Sequence, residues 1–186
     1  MSKNNKSNKS MPIREFESIK KMKDYLYQQS LRNGFLFTFG INSGLKISDI
    51  LPLKVKDIKY ASHLEIHDRN GNIRRVKISP SLKQEVEEYT KGKDDSFYLF
   101  PSREGNKPIS RVTAWNILKQ AAKEIGLSES IGTNTLRKTF GYHYYKKTKD
   151  LATLQQIFGH SSISITMNFI EIKEDLSDQN IEDLFL

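Results

Sequence analysis

Basic side chains gather at the points where the chain is expected to bend. Lys46 follows the Gly44-Leu45 turn, and Arg69, Arg74 and Arg75 straddle Asn70-Gly71. Arg111 opens a helix, while Arg137, Lys138, Lys146 and Lys147 occupy another helix and its end. Cations on separate turns and helix starts, with Ser, Thr and Asn nearby, suit a phosphate backbone: the charges displace counterions and the neutral groups fix register. Arg137 stands one position past Leu136, so it is expected to flank a buried stripe. A half-buried guanidinium there calls for a bidentate anion or a structural ion pair. His160 lies between Gly159, which ends a helix, and Ser161-Ser162, which caps the next; its ring is placed to donate a hydrogen bond into a cleft. Farther along that helix is Phe169, which neither gives nor takes a proton.

A second constellation, His63, Glu65 and His67 in "HLEIH", superficially has metal-ligand character. The helical zinc motif, however, needs its histidines at i and i+4 of a helix with Glu beside the first. These residues alternate on a strand, where they share one face. A solvated strand face is the expectation, with no metal and no cofactor.

The elements that must position these residues follow from periodicity. Ile19, Met22, Tyr25 and Leu26 recur at helical spacing after Pro12, and a second apolar stretch from Leu31 to Ile41 breaks at Asn42-Ser43-Gly44. "LKISDILPL" reads as a short helix stopped by Pro52. "LEIHDRNGNIRRVKIS" alternates on both sides of Asn70-Gly71, the signature of a tight hairpin. Pro80 opens a helix with Leu82, Val86 and Tyr89. Ser110 caps another, carrying Val112, Trp115, Leu118, Ala122 and Ile125 and stopping at Gly126. Thr135 to Lys147 forms the next, with Leu136, Phe140 and Tyr144 inward, followed by Leu151 to Phe158. In residues 163–170, Ile163, Met167 and Ile170 make one apolar stripe and Ile165 and Phe169 the opposite face; a last short helix is expected from Ile172 to the "IEDLFL" end. The sum is a mainly α chain with one small antiparallel sheet, an α+β fold: a disordered basic tail over 1–11, then a single domain over 12–186.

Composition narrows the function. The chain has 186 residues, enough for one sizeable core, and 30 Lys plus Arg against 22 Asp plus Glu give a net charge of +8. With a pI near 9.5, this favours a polyanionic partner. The absence of cysteine excludes disulfides, thiolate metal sites and a cysteine nucleophile. No apolar run approaches a membrane span and the chain opens MSKNNKSNKS, so a cytoplasmic protein that does not enter the membrane is expected.

Two stretches resemble one family. "GTNTLRKTFGYHYYKKTKDLATLQQIFGHSSISITMNF" resembles the second conserved box of the tyrosine recombinases, the phage integrase family, and "NSGLKISDILPLKVKDI" resembles the first. They occur in the expected order, with the hairpin and the Ser110 helix between them, so the likeness covers about residues 12–172. It implies a mostly helical catalytic domain that binds duplex DNA. In such enzymes a tyrosine attacks the scissile phosphate to form a phosphotyrosyl link that a second DNA end reverses, without metal or water. Charge develops on the non-bridging oxygens, which two arginines stabilise; histidines assist and a hairpin lysine protonates the leaving 5′ oxygen.

Carried over by position, the resemblance implies six active-site positions and exposes four departures. Lys46 stands where the first box has arginine. Arg69 stands at the hairpin lysine and is a poor acid. Asn134 replaces a histidine three residues before the retained Arg137. His160 is retained, and Phe169 stands in place of the nucleophilic tyrosine. Two of these changes only weaken catalysis; the one at Phe169 removes the covalent step. Tyr142, Tyr144 and Tyr145 lie on the helix of Arg137, and the nearby hydroxyls have no activating base, so no replacement nucleophile is expected. Arg74, Arg75, Arg111 and Lys138 are expected on the DNA backbone. The family's additional N-terminal domain does not fit into the residues before Pro12, which implies weaker binding, or reliance on self-association or on an active recombinase partner. The leading expectation is a DNA-binding recombinase homologue impaired in strand cleavage. Its rivals are a working recombinase in which position 169 is misaligned or engineered, and a sequence-specific regulator that places the Ser110 to Ile125 helix in the major groove.

Overall fold

The computed structural model describes residues 9–67, 73–105, 107–132 and 134–172. Its elements run α1 (Phe16–Gln29), α2 (Leu31–Ser43), α3 (Ile47–Ile50), α4 (Val55–Ile58), β1 (His63–His67), β2 (Ile73–Lys77), α5 (Pro80–Thr90), α6 (Arg111–Glu124), α7 (Thr135–Thr148), α8 (Leu151–Phe158) and α9 (Ile163–Phe169). The mainly helical α+β architecture with one antiparallel pair is the one the sequence implies. Among the described residues no helix is long and apolar enough to cross a membrane.

Side-chain caps explain four of the helix starts. The side chains of Ser79, Ser110, Asp150 and Ser162 accept the backbone N–H three residues on, at the heads of α5, α6, α8 and α9. Helix α2 is buried continuously from Gly34 to Gly40, as an element apolar on all sides must be, and its Phe35, Phe37 and Phe39 are fully enclosed. It packs against α1, α5 and α7. Where it crosses α7 the spacing is set by Gly40, since a Cβ there would lie 2.4 Å from Leu136 Cδ1. A smaller apolar cluster of Tyr145, Leu154, Phe158 and Ile170 joins α7, α8 and the end of α9.

In the hairpin, Leu64 opposes Val76, Glu65 opposes Arg75 and Ile66 opposes Arg74. Leu64, Ile66 and Val76 are buried, whereas Glu65, His67, Arg75 and Lys77 are exposed. The "HLEIH" polar residues thus lie toward solvent, with Glu65 3.8 Å from Arg75.

Four expectations change. Val112 is 64% exposed, because Ala114, Leu118, Ala121 and Ala122 form the inward face of α6. Ile163 is 43% exposed, and Thr166 takes the buried position on α9. On α7 the fully packed aromatic is Tyr145, with Tyr144 only partly covered. The four-residue α4 went unforeseen because so short a helix carries no periodic signal. Within the segment read as a tail, Met11 donates its N–H to Ser130 O at 2.9 Å and Lys9 pairs with Glu171 at 2.9 Å. Arg69 and the helix expected after Ile172 lie outside the described residues.

Candidate active site

The site forms where the ends of α2 and α8 meet the first turns of α7. Helix α2 is closed by Gly44 in the left-handed region (φ 65°), where a Cβ would meet the Phe140 ring at 2.7 Å. This turn brings the Gly44 carbonyl under α7, seats Leu45 in the core and sends Lys46, at the N-cap of α3, to the surface. Helix α8 ends at Gly159, also left-handed (φ 63°), and releases its last carbonyls toward the same place.

Arg137 joins the two. Its Nη1 donates to Gly44 O at 2.8 Å and its Nη2 to Phe158 O at 2.6 Å, and the guanidinium carbon lies 4.3 Å from the Phe158 ring centroid. The side chain is buried, at 2% exposure, and not half-buried as its position beside Leu136 suggested. The reason is that α7 is enclosed by α2, by α8 and by the N-terminal segment, whose Ile13 N–H donates to Thr139 Oγ1. Burial first, and then the charge of Arg74, lower the Arg137 pKa to about 10, with Asp49 opposing. The group therefore stays cationic at neutral pH.

His160 lies beside it. Its Nδ1 is 3.0 Å from Thr166 Oγ1, and that hydroxyl donates to Ser162 O at 3.3 Å. Satisfying all three groups puts the ring proton on Nδ1 and leaves Nε2 open. Burial and then the charges of Arg137, Lys46 and Arg74 push the His160 pKa down to about 4. Arg74 and Arg137 reach neighbouring carbonyls at the end of α8, and with Lys46 they make the surroundings of the imidazole electropositive.

Phe169 closes it. The ring lies 5.2 Å from the His160 ring and 5.3 Å from the Phe158 ring, edge-on to both. The guanidinium carbon of Arg137 is 6.0 Å from its centroid and the Lys138 ammonium 5.3 Å. Helix α9 thus aims residue 169 at the cationic cluster. On the far side of Phe169, Asn134 is exposed and its side chain caps nothing. It lines an open cleft of about 570 Å³ with Lys9, Lys138, Asn168 and Phe169.

The remaining expected residues divide. Arg74 turns inward, with Nη1 donating to Ile157 O and Nη2 3.9 Å from Asp49 Oδ2. Lys138 is buried and its Nζ is 2.6 Å from Glu171 Oε1, so this cation is matched inside the fold. Arg75 sits on the outer face of β2 and Arg111 is exposed at the head of α6. Three contributors were not anticipated. Asp49, three residues past Lys46 on α3, had a signal in that spacing. Thr166 was readable as one turn past the Ser162 cap. Glu171, at φ 57°, had no sequence signal. A cluster of lysine, two arginines and histidine, with Asp49 as the nearby carboxylate, is suited to hold a phosphodiester and stabilise charge on its oxygens. The ring at 169 supplies no attacking oxygen.

The chain is similar to several known proteins. The family model described as "Phage integrase family" matches residues 10–175. The probable integrase/recombinase YoeC of Bacillus subtilis (strain 168) is 54% identical over 165 residues, covering 88% of this chain and 91% of its own length. Tyrosine recombinase XerA of Pyrococcus horikoshii is 29% identical over 148 residues, covering 77% of this chain but 51% of its own; this chain spans about half of that relative. The crystal structure of XerH site-specific recombinase bound to difH substrate in a pre-cleavage complex superposes with a TM-score of 0.71, at 20% identity, over 92% of this chain and 53% of that one. With a mainly helical fold, both boxes in place and a family match over most of its length, this chain belongs to the phage integrase family of tyrosine recombinases.

Proposed function

We propose that this protein binds duplex DNA and holds a backbone phosphate among Lys46, Arg74, Arg137 and His160 without forming a covalent link to it. The reading is carried by one observation: the side chain that α9 presents to Arg137 and His160 is a phenyl ring, 5.2 Å from the imidazole. A recombinase needs an oxygen there, because phosphoryl transfer to the protein begins with a nucleophile in line with the scissile bond. The other hydroxyl-bearing rings on α7 are engaged elsewhere: Tyr144 stacks on Phe140 at 5.8 Å, Tyr142 lies under Arg14 and Lys146, and Tyr145 is buried beside Lys149. The cations remain, so binding survives where cleavage does not. Such a protein occupies a recombination site, alone or beside a cleaving recombinase, and limits access to it.

The direct test is fluorescence anisotropy with a labelled duplex over a salt series. The affinity should fall steeply with salt, with a log–log slope of about −3 to −5 for a handful of neutralised phosphates. Arg137→Gln should lower affinity at every salt concentration. No binding at low salt overturns the reading.

A further inference from the structure

Arg74 has no assigned role in the two boxes, yet it enters the site more deeply than Lys46 does. The register of the hairpin explains how. Arg74 opposes Ile66 and shares a strand face with the buried Val76, while Arg75 and Lys77 take the outer face. The Arg74 side chain is 24% exposed. Its Nη1 reaches Ile157 O, the carbonyl next to the Phe158 O that receives Arg137. The guanidinium passes close to Gly159, where a Cβ would lie in ordinary contact, 4.0 Å from Arg74 Nη1. Two guanidiniums therefore end on consecutive carbonyls at the close of α8. Among the described residues, the carboxylate that pairs with Arg74 is that of Asp49, 3.9 Å away and itself mostly covered. Like charges brought together with so little compensation are stable where an anion completes the group. With Nη1 engaged on the carbonyl, Nη2, 3.9 Å from Asp49 Oδ2, and Nε form the fork offered to that anion.

We propose that Arg74 supplies the second guanidinium of the phosphate clamp, taking from the hairpin the role that Lys46, a single-point donor, does not fill. This rests on the reading of the cluster as a phosphodiester site. It implies that the arginine pair needed on the non-bridging oxygens is kept, drawn from α7 and β2, with Lys46 contributing charge from the rim.

The test is an NMR titration of the His160 Cε1–H resonance with inorganic phosphate, identified among the 4 histidines by its loss in His160→Gln. The wild-type signal should move saturably. Arg74→Gln should weaken phosphate binding about tenfold or more, the effect of losing a charge-assisted hydrogen-bonding fork. Lys77→Gln, which removes a charge from the outer face of the same strand, should not. Lys46→Arg placed in the Arg74→Gln background should recover much of the loss, because a fork returns to the site from the other side. If Arg74→Gln fails to fold, Arg74→Lys retains the charge and should still bind more weakly than wild type. A folded Arg74→Gln protein with wild-type phosphate affinity, or no recovery with Lys46→Arg, overturns the proposal. A wild-type protein that binds duplex DNA while phosphate leaves His160 unmoved also overturns it and spares the DNA-binding reading. Loss of both DNA and phosphate binding overturns both.

Discussion

Gly141 sits where α7 touches both elements that carry the site, and replacing it with alanine tests the packing that positions them. A Cβ at Gly141 would lie 2.6 Å from Ile170 Cγ2 and 2.7 Å and 2.8 Å from the Phe158 ring. Neither neighbour has room to swing: Phe158 is 2% exposed and Ile170 is fully buried, and both are packed with Tyr145 and Leu154. Relief must come from moving α8 and α9 away from α7. Overpacking of this kind costs about 1–3 kcal/mol, and alanine returns about 1 kcal/mol of helix propensity over glycine. Because the contacts are with a ring and a branched methyl, the upper half of that range applies, leaving a net loss of about 1–2 kcal/mol. For a chain of this size the melting temperature should drop by about 3–6 °C in thermal unfolding followed by circular dichroism. Phe158 supplies a carbonyl to Arg137 and Ile170 adjoins Phe169, so DNA affinity at a temperature where the variant is folded should also fall several-fold. Gly34→Ala makes the contrast: its Cβ would strike the Tyr27 ring at 2.3 Å, between α1 and α2. It should destabilise the fold and leave the affinity of the folded protein intact. A Gly141→Ala protein that melts at or above the wild-type temperature would refute this account of how α8 and α9 are seated.

Arg137→Met removes the donors to Gly44 O and Phe158 O from a buried position, and should cost about 2–4 kcal/mol in urea unfolding as well as most of the DNA affinity. The pH dependence follows from His160. Its folded pKa of about 4 lies below the ordinary 6.5, so the unfolded chain binds more protons between those values and stability rises with pH across that window. Falling from pH 6.5 to 4 should therefore remove on the order of 1 kcal/mol that His160→Gln retains, a figure reduced for solvent reaching the half-buried ring. A bound phosphate reverses the electrostatics around the imidazole, so DNA affinity should increase as pH falls from 7 toward 5 in the wild type and not in His160→Gln.

The elements were largely legible because their signals are local. Serine and aspartate caps, Pro80, Gly126 and Gly159 mark ends through backbone hydrogen bonding and left-handed torsions, which depend on neighbours in sequence. The alternation around Asn70-Gly71 likewise specified the hairpin pair. Which apolar side of a helix faces inward is another matter. Val112 and Ile163 sit on stripes as regular as those that pack, and only the partner elements decide between them. The depth of Arg137 was hidden for the same reason, since three separate segments cover α7. Lys138 looked like a free cation until Glu171, 33 positions away, appeared against it. Strand alternation held the information that Arg74 and Val76 share a face, but grouping Arg69, Arg74 and Arg75 by charge obscured it. Residues 137, 160 and 169 lie together because segments distant in sequence are bridged by one side chain, Arg137, through the carbonyls of Gly44 and Phe158.

A phosphate site that persists without the group that would attack the phosphate should hold DNA and leave it uncut. The measurement is to incubate the wild-type protein with a pool of nicked duplexes of randomised sequence and resolve the products on native and denaturing gels. Nicks trap a covalent intermediate by letting the leaving strand diffuse away. Retarded complexes should appear on the native gel, with no protein–DNA band that survives denaturant. A denaturant-resistant band from the wild-type chain would contradict this expectation, and peptide mapping of that band would name the residue that attacks.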